Sequence, residues 1–223
     1  MGDRLEGRCP LGLNPDRHPL AGATNTNEAA LIRRFMGESM APGRILPVVP
    51  VVFRAMSRYP GRMMLFRNAL PADADRCFAI ETSAYEGDEA ATLEKIAQRI
   101  ATYPDGFLVV EHGGALAGFI NSGCAHQVEM ADEAFKELIG HDPDAPNVVI
   151  LSVAVDPSRQ GQGIARALMA EFVARMRARG KSAIYLMCRE YHIPMYEKFG
   201  FGYLNPSASD HGGLAWHEMS MTL

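Results

Sequence analysis

The spacing of apolar residues changes along the second half of the chain. Residues 148–155 are almost all apolar, which is typical of a strand buried on both faces. In residues 163–179 the apolar side chains recur every four positions, as on one face of an amphipathic helix, at Ile164, Leu168, Phe172 and Met176. Residues 182–188 are again strand-like. A strand, a helix and a second strand in this order predict a right-handed parallel crossover.

The same patterns divide the rest of residues 63–223 into further elements. Strands are predicted at 63–67, 106–111, 115–123 and 214–222, and helices at 71–84, 89–103, 129–139 and 194–199. The tripeptide His112-Gly113-Gly114 joins two of these strands by a hairpin turn. The elements predict an α/β or α+β fold with a mixed central sheet flanked by helices. Its ligand edge lies at the carboxyl end of strand 148–155.

Residues 1–62 differ from the rest of the chain in composition. They hold nine arginines, no lysine and five acidic residues, and seven prolines interrupt them. Short helices are predicted at 27–40 and 48–59. We expect an N-terminal extension, rich in proline and arginine, that packs on the domain at 63–223 or is partly irregular. Asp3 and Glu6 disfavour the alternative of a mitochondrial presequence.

The bulk composition excludes several functional classes. A content of 48% apolar and 22% charged residues suits a globular core. The net charge of −4 argues against nucleic-acid binding, and no apolar run is long enough to span a membrane. The cysteines lack the close pairs of a zinc site; they are Cys9, Cys77, Cys124 and Cys188. We expect buried thiols, no metal, a cytoplasmic location and a monomer or homodimer.

A glycine-rich loop joins strand 148–155 to the following helix, with the sequence Gln160-Gly161-Gln162-Gly163-Ile164-Ala165. Its glycines allow successive backbone N–H groups to surround an anion at a helix N-terminus, where the helix dipole favours negative charge. The loop is not the dinucleotide fingerprint, because Arg166 stands where a third glycine would fall. The first functional hypothesis is therefore a phosphate-bearing ligand.

Two motifs together identify a family resemblance. The string V-x-P-x-x-Q-G-x-G-I-A-x-x-L, from Val155 to Leu168, resembles the acetyl-CoA loop of the GCN5-related N-acetyltransferase (GNAT) superfamily. The block Tyr196-x-x-x-Gly200-Phe201 is similar to the one that closes that domain. The resemblance extends over roughly residues 63–223. Within the superfamily, residues 186–188, 194–201 and 216–219 resemble the arylalkylamine (serotonin) N-acetyltransferase branch.

The resemblance implies a cofactor site at a splayed sheet. The strands at 148–155 and 182–188 would separate, and pantetheine would pair with the exposed backbone of the first strand like an added strand. The implied acetyl-CoA-binding residues are Val153, Val155, Gln160, Gly161, Gln162, Gly163, Ile164 and Ala165. Arg159 and Arg166 are candidates for neutralising phosphate charge.

The resemblance also implies the acid of the reaction. Tyr196 matches the superfamily's tyrosine that protonates the departing thiolate. The branch keeps two proton-relay histidines on the central strand, but Val149 and Leu151 occupy those positions here. An amine is protonated at neutral pH and must lose a proton before it attacks. The candidates for the base or relay are Glu81, His126 and Glu129, or a chain of water molecules.

The acceptor is expected to be a cationic amine. The helices at 71–103, which wall the acceptor cleft in the superfamily, carry acidic residues at Asp73, Asp75, Glu86, Asp88 and Glu89. Aromatic candidates for the pocket are Phe78, Tyr85, Phe119 and Trp216.

These features predict an acetyl-CoA-dependent N-acetyltransferase acting on a small primary amine by direct attack in a ternary complex. An arylalkylamine is the finer candidate. A protein or peptide N-acetyltransferase, or a catalytically weak acyl-CoA-binding module, is the alternative.

Overall fold

The structure, a computed structural model, describes residues 55–59, 62–85 and 90–223. Within these residues eight strands form one sheet, in the order β1-β2-β3-β4-β5-β6-β8-β7. The strands are β1 (Ala55–Tyr59), β2 (Arg62–Asn68), β3 (Phe107–His112), β4 (Ala115–Ala125), β5 (Asn147–Val155), β6 (Ala183–Cys188), β7 (Gly202–Pro206) and β8 (His217–Thr222). Neighbouring strands run antiparallel except β5 and β6, whose parallel pairing agrees with the predicted crossover.

The parallel pair of β5 and β6 is short. Asn147 to Val149 pair with Ala183 to Tyr185, and the pairing goes no further. Strand β4 nevertheless follows β5 as far as Val155, and β8 follows β6 as far as Cys188. The sheet is therefore splayed between β5 and β6, and one backbone edge of β5 is open.

A β-bulge lies in β5 beside the splay. Asn121 faces Ser152 and Ser122 faces Ile150, so that Leu151 has no counterpart on β4. A bulge bends its strand and changes the direction of the side chains around it. Residues 149–153 consequently turn along the splay while β5 stays paired with β4.

Helices cover both faces of the sheet. On one face α1 (Ala74–Ala84) and α2 (Leu93–Thr102) pack over a core that includes Cys77, Ile80, Ile96, Ile100, Phe107 and Phe119. A second core contains α3 (Ile164–Ala178) and the short α4 (Ile193–Lys198). The buried residues of α3 include Ile164, Leu168, Phe172 and Met176, which confirms the predicted four-residue period.

Glycines end the predicted elements where the backbone needs a left-handed residue. Gly113 and Gly114 have φ of 63° and 80° and make the tight turn between β3 and β4. Gly180 has φ 70° and ends α3. Its N–H donates to the Arg177 carbonyl, and the Lys181 N–H donates to the Met176 carbonyl, which is a Schellman cap.

Two sequence predictions of helix are wrong. In the segment 48–59, residues Ala55–Tyr59 form a strand that pairs with β2 residue by residue; residues 48–54 lie outside the described part of the chain. In the segment 129–139, a 3-10 turn at Ala134–Glu137 replaces the helix. The Asp132 carboxylate accepts the N–H groups of Ala134 and Phe135, and Leu138 takes a left-handed φ of 59°, which prevents further helical turns.

The sequence prediction also missed a strand. β7 pairs with β8 at the edge of the sheet, and all five of its residues are exposed. An exposed edge strand lacks the apolar alternation by which strands are recognised. The predicted final strand at 214–222 begins only at His217.

Three cysteines of the described residues are buried and free, as expected for thiols of a core: Cys77, Cys124 and Cys188. Burial raises the pKa of the Cys188 thiol to about 12. In the described part of the chain, no helix has the length and apolar character needed to cross a bilayer.

Candidate active site

The loop between β5 and α3 is fixed at its start by Asp156. Its carboxylate accepts the backbone N–H of Ser158 at 2.9 Å and the Ser158 hydroxyl at 2.7 Å, and it pairs with the Arg76 guanidinium of α1. Burial opposes ionisation, but these hydrogen bonds and the Arg76 charge hold the pKa of Asp156 below its usual value. The charged carboxylate thus ties the loop to α1.

The glycines of this loop shape an anion site. Gly161 and Gly163 have φ of 75° and 77°, a region that other residues rarely adopt. Gly163 is the N-cap of α3 and provides no side-chain cap, so the first-turn N–H groups remain for an anion. A Cβ on Gly163 would meet no atom within 4 Å. The loop therefore has both the backbone conformation and the free space that a phosphate requires.

The remaining loop residues differ in what they can offer a ligand. Ile164 and Ala165 are buried in the core, so only their backbone N–H groups are available. Gly161 and Gln162 are exposed, and Gln160 is half-buried. A bound phosphate would therefore meet mainly backbone groups.

The two arginines expected near the phosphate are not equivalent. Arg159 donates to the His112 carbonyl, so its guanidinium is held by the β3–β4 hairpin. Arg166 is exposed on α3. Of the two, Arg166 has the more accessible charge.

The open edge of β5 is occupied by a tyrosine at Val153. The Tyr85 hydroxyl, at the end of α1, donates to the Val153 carbonyl at 2.8 Å and accepts the Val153 N–H at 3.3 Å. Both backbone groups therefore point away from β4. A ligand that pairs with Val153 like an added strand would have to replace the Tyr85 hydroxyl. Val155 lies further along the same strand, opposite Gly118 of β4.

A pocket lies at the splay, next to this edge. Its walls come from α1, α2, β5, β6, α4, the segment 129–136 and residues 211–216. Glu81, Tyr196 and Trp216 all line it. The splay thus brings together residues that are more than 130 positions apart in the chain.

Glu81 is the buried acid of the pocket, with only 2% of its surface exposed. Its carboxylate accepts the Ser152 hydroxyl at 2.6 Å and the Ala91 N–H at 3.2 Å. Burial raises the pKa of Glu81, and these two hydrogen bonds and the charge of Arg99 oppose the rise only in part. A raised pKa makes the carboxylate a stronger base.

Tyr196 is held by the cap that ends α4. The Phe201 N–H donates to the Tyr196 carbonyl at 3.1 Å, and the Gly200 N–H donates to the Glu197 carbonyl at 2.9 Å. With Gly200 at φ 97°, this is a Schellman cap, and the Phe201 ring packs edge-on against the Tyr196 ring at 5.8 Å. The spacing Tyr-x-x-x-Gly-Phe is therefore the spacing of a cap that orients the tyrosine toward the pocket.

The structure separates the other base candidates. Glu129 lines the pocket with an exposed side chain, whereas His126 is paired with Asp142 at 2.8 Å and does not line it. Val149 and Leu151 do line the pocket. Of the three candidates, Glu81 is thus the one whose carboxylate is buried in the pocket.

The acidic residues that line the pocket differ from those expected from the sequence. Asp73 is bound to Arg67 at 2.6 and 2.9 Å and, like Asp75, does not line the pocket. Glu86, Asp88 and Glu89 lie outside the described residues. Glu129 and Asp132 line the pocket instead, and a neighbouring cavity shares both.

Of the four aromatic candidates, two line the pocket, namely Tyr85 and Trp216. Phe119 is fully buried and stacks on Phe107 at a centroid distance of 5.3 Å, and Phe78 packs against the same core.

Sequence reasoning missed two buried polar residues of the pocket. Ser152 interrupts the otherwise apolar run of β5, and Arg99 stands on the buried face of α2 with Ile96 and Ile100. A polar residue at a core position is the signal by which both could have been found. Phe135 and Met130, also missed, come from the segment wrongly predicted as a helix.

Comparison with curated proteins gives two acetyltransferases. The chain is 26% identical to serotonin N-acetyltransferase of Mesocricetus auratus over 162 residues, 71% of this chain and 77% of that protein. It is 32% identical to mycothiol acetyltransferase of Thermobispora bispora over 101 residues, 44% of this chain and 30% of that protein. The chain also matches an uncharacterized protein of Mycobacterium leprae, of whose length the match covers 47%. The chain thus spans less than half the length of two of these relatives, the Mycobacterium leprae protein and mycothiol acetyltransferase.

A solved structure shares the fold. The yncA protein of Salmonella typhimurium, in a structure with its cofactor acetyl-CoA, is 22% identical with a TM-score of 0.52, over 72% of this chain and 94% of that one. Residues 73–201, more than half of the chain, match the family described as Acetyltransferase (GNAT). This match includes the glycine loop, Glu81 and Tyr196. The chain therefore belongs to the GNAT acetyltransferase family, whose cosubstrate is acetyl-CoA.

Proposed function

We propose that this protein transfers the acetyl group of acetyl-CoA to a small primary amine in the pocket at the splay. One observation carries the proposal: the buried carboxyl of Glu81 and the hydroxyl-bearing Tyr196 line the same pocket beside the open edge of β5. The similarity to serotonin N-acetyltransferase supports an arylalkylamine as the acceptor. The apolar and aromatic side chains of Met130, Phe135 and Trp216, which line the pocket, suit the aromatic ring of an arylalkylamine.

Acetyl-CoA supplies the thioester whose acetyl group is transferred. On the protein side, the N–H groups of residues 161–165 would bind its phosphates, because they stand at the N-terminus of α3 without a side-chain cap. The backbone of Val153 and Val155 would hold the pantetheine arm at the open edge. Gln160 lies at the start of the same loop and would assist there. The protein would thus grip the cofactor mainly through its backbone.

The transfer joins the amine nitrogen to the acetyl carbon and breaks the carbon–sulfur bond. An ammonium acceptor loses two protons, of which one ends on the departing sulfur and one reaches solvent. Glu81, hydrogen-bonded to Ser152, would accept the proton that frees the amine lone pair. Tyr196 would give its phenolic proton to the sulfur. Val149 and Leu151 cannot carry protons, so the proton acceptor has moved from β5 to α1.

We expect Tyr196→Phe to lower turnover about 10²-fold or more, because the departing sulfur loses its proton donor. Binding of CoA should stay nearly unchanged. Turnover is measured by thiol release, and CoA binding by the fluorescence of Trp216, the single tryptophan of the chain. Tyr203→Phe, at an exposed tyrosine of β7, is the matched control. Unchanged turnover of the Tyr196 variant across pH would remove Tyr196 from the mechanism.

Glu81→Gln should remove the acidic limb of the pH profile. In the wild-type protein, kcat/KM should fall as pH drops through the raised pKa of Glu81, because the protonated carboxyl cannot accept a proton. The glutamine variant should be slow at all pH values and lack this limb. Glu129→Gln is the control; loss of the limb there instead would identify Glu129 as the base.

Gly163→Ala should weaken CoA binding about tenfold, because alanine disfavours the left-handed conformation that directs the N–H groups to the phosphates. Gly180→Ala is a matched control at the other end of α3. The two glycines have φ of 77° and 70°, and a Cβ added to either would meet no atom within 4 Å. Both variants should lose about 1–2 kcal/mol of stability, measured by denaturant unfolding. Equal CoA affinity in the two variants would reject the loop as the phosphate site.

Tyr85→Phe should strengthen CoA binding about fivefold, since one hydrogen bond that competes at Val153 is worth about 1 kcal/mol. Isothermal titration with CoA measures the change. Tyr103→Phe removes a hydroxyl that contacts the Cys124 thiol away from the pocket and should have no effect. Weaker binding in the Tyr85 variant would mean that this hydroxyl helps to hold the cofactor.

A further inference from the structure

Arg99 places a buried positive charge in the wall of the same pocket. Its side chain belongs to α2, and only 6% of the residue is exposed. It lies on the helix face that also buries Ile96 and Ile100. Burial lowers the pKa of Arg99, since water no longer solvates the guanidinium fully. A charge in such a position requires compensation by neighbouring groups.

The hydrogen bonds of Arg99 go to neutral acceptors. Nε and Nη2 donate to the Lys136 carbonyl at 3.2 and 2.8 Å, and Nη1 donates to Oδ1 of Asn121 at a long 3.4 Å. Within the described residues no carboxylate forms an ion pair with Arg99; Glu81 and Glu137 act on it only through space. Two of the five guanidinium N–H donors thus remain for another acceptor.

The other cations of the pocket are already paired. Lys95 binds Glu137 at 2.6 Å, and Lys136 binds Glu133 at 2.6 Å. Beside Arg99, Nδ2 of the fully buried Asn121 has no partner in the described structure. Asn121 does not line the pocket, but Arg99 does, and an anionic group in the pocket would complete the unused donors of Arg99.

We propose that the acceptor amine also carries a carboxylate, as a free amino acid does, and that Arg99 binds this carboxylate. This inference rests on the proposed function of the pocket. Glu81 faces the ammonium, Arg99 faces the carboxylate, and the side chain of the acceptor packs against Phe135 and Trp216. A guanidinium binds a carboxylate through two parallel hydrogen bonds. An amine without the carboxylate would leave the two N–H donors of Arg99 without an acceptor. Such an amine should bind more weakly, because a buried polar group would stay unpaired.

Matched acceptors test the inference on the full-length protein. Phenylalanine, phenylalaninamide and phenethylamine share one aromatic body, but only the first carries a carboxylate; tryptophan, tryptophanamide and tryptamine form a second set. The readouts are kcat/KM from thiol release and, for the phenylalanine set, equilibrium binding to the CoA-loaded protein followed by Trp216 fluorescence. We expect the amino acid to exceed its amide and its amine by at least about tenfold in both.

Variants of Arg99 separate recognition from folding. Arg99→Gln should abolish the preference for the carboxylate, and Arg99→Lys should keep part of it because the charge remains. Lys95→Met removes a pocket cation that is already paired with Glu137 and should leave the preference unchanged. The thermal midpoint and CoA affinity of each variant show whether it is folded. If Arg99→Gln does not fold, the carboxylate preferences of the wild-type protein and of Arg99→Lys still test the inference.

The possible results lead to different conclusions. If the wild-type protein bound the amides and amines as well as the amino acids, or better, the proposed role of Arg99 would be overturned. Arg99 would then serve only to hold the Lys136 carbonyl. Selective binding of amino acids without thiol release would support the Arg99 site and overturn the proposed function. Thiol release with the amines alone would support the proposed function and overturn this inference.

Discussion

The rest of the site depends on the separation of β5 and β6 after three paired residues. If the two strands stayed paired to their ends, the backbone of Val153 and Val155 would be used up inside the sheet. The bulge at Leu151 turns β5 along the gap while β4 keeps its other edge satisfied. The gap exposes one strand edge and opens a pocket between α1 and α4. The open strand edge and the pocket thus have one structural origin.

An open strand edge inside a protein leaves polar groups that need partners. Tyr85 provides them at Val153, where one hydroxyl serves both the carbonyl and the N–H. The same helix, α1, carries Glu81, whose carboxylate reaches Ser152 one residue earlier on β5. The end of α1 therefore satisfies the open edge of β5, and the helix also carries the carboxylate that we propose as the proton acceptor.

The parts of the fold that depend on local geometry could be predicted from the sequence. The glycine loop, the period of α3 and the Tyr196–Phe201 cap each need a particular residue at a particular spacing, and the structure has all three. The segment 129–139 could not be predicted, because its apolar residues pack on the sheet at Gly123 instead of forming a helix face. Likewise, the strand Ala55–Tyr59 owes its form to β2, which no local pattern in 48–59 indicates.

This difference explains why the cofactor can be inferred from the sequence more readily than the acceptor. The proposed phosphate site consists of consecutive residues, so its motif is visible in the chain. The pocket at the splay combines α1, α2, the segment 129–136 and residues 211–216, and its buried charged residues, Glu81 and Arg99, come from two different helices. Val149 and Leu151 line this pocket without an ionisable group, and the buried carboxylate of Glu81 lines it from α1. Under the proposals made above, substrate choice would depend on the separation between the carboxylate of Glu81 and the guanidinium of Arg99, and only the folded chain defines that separation.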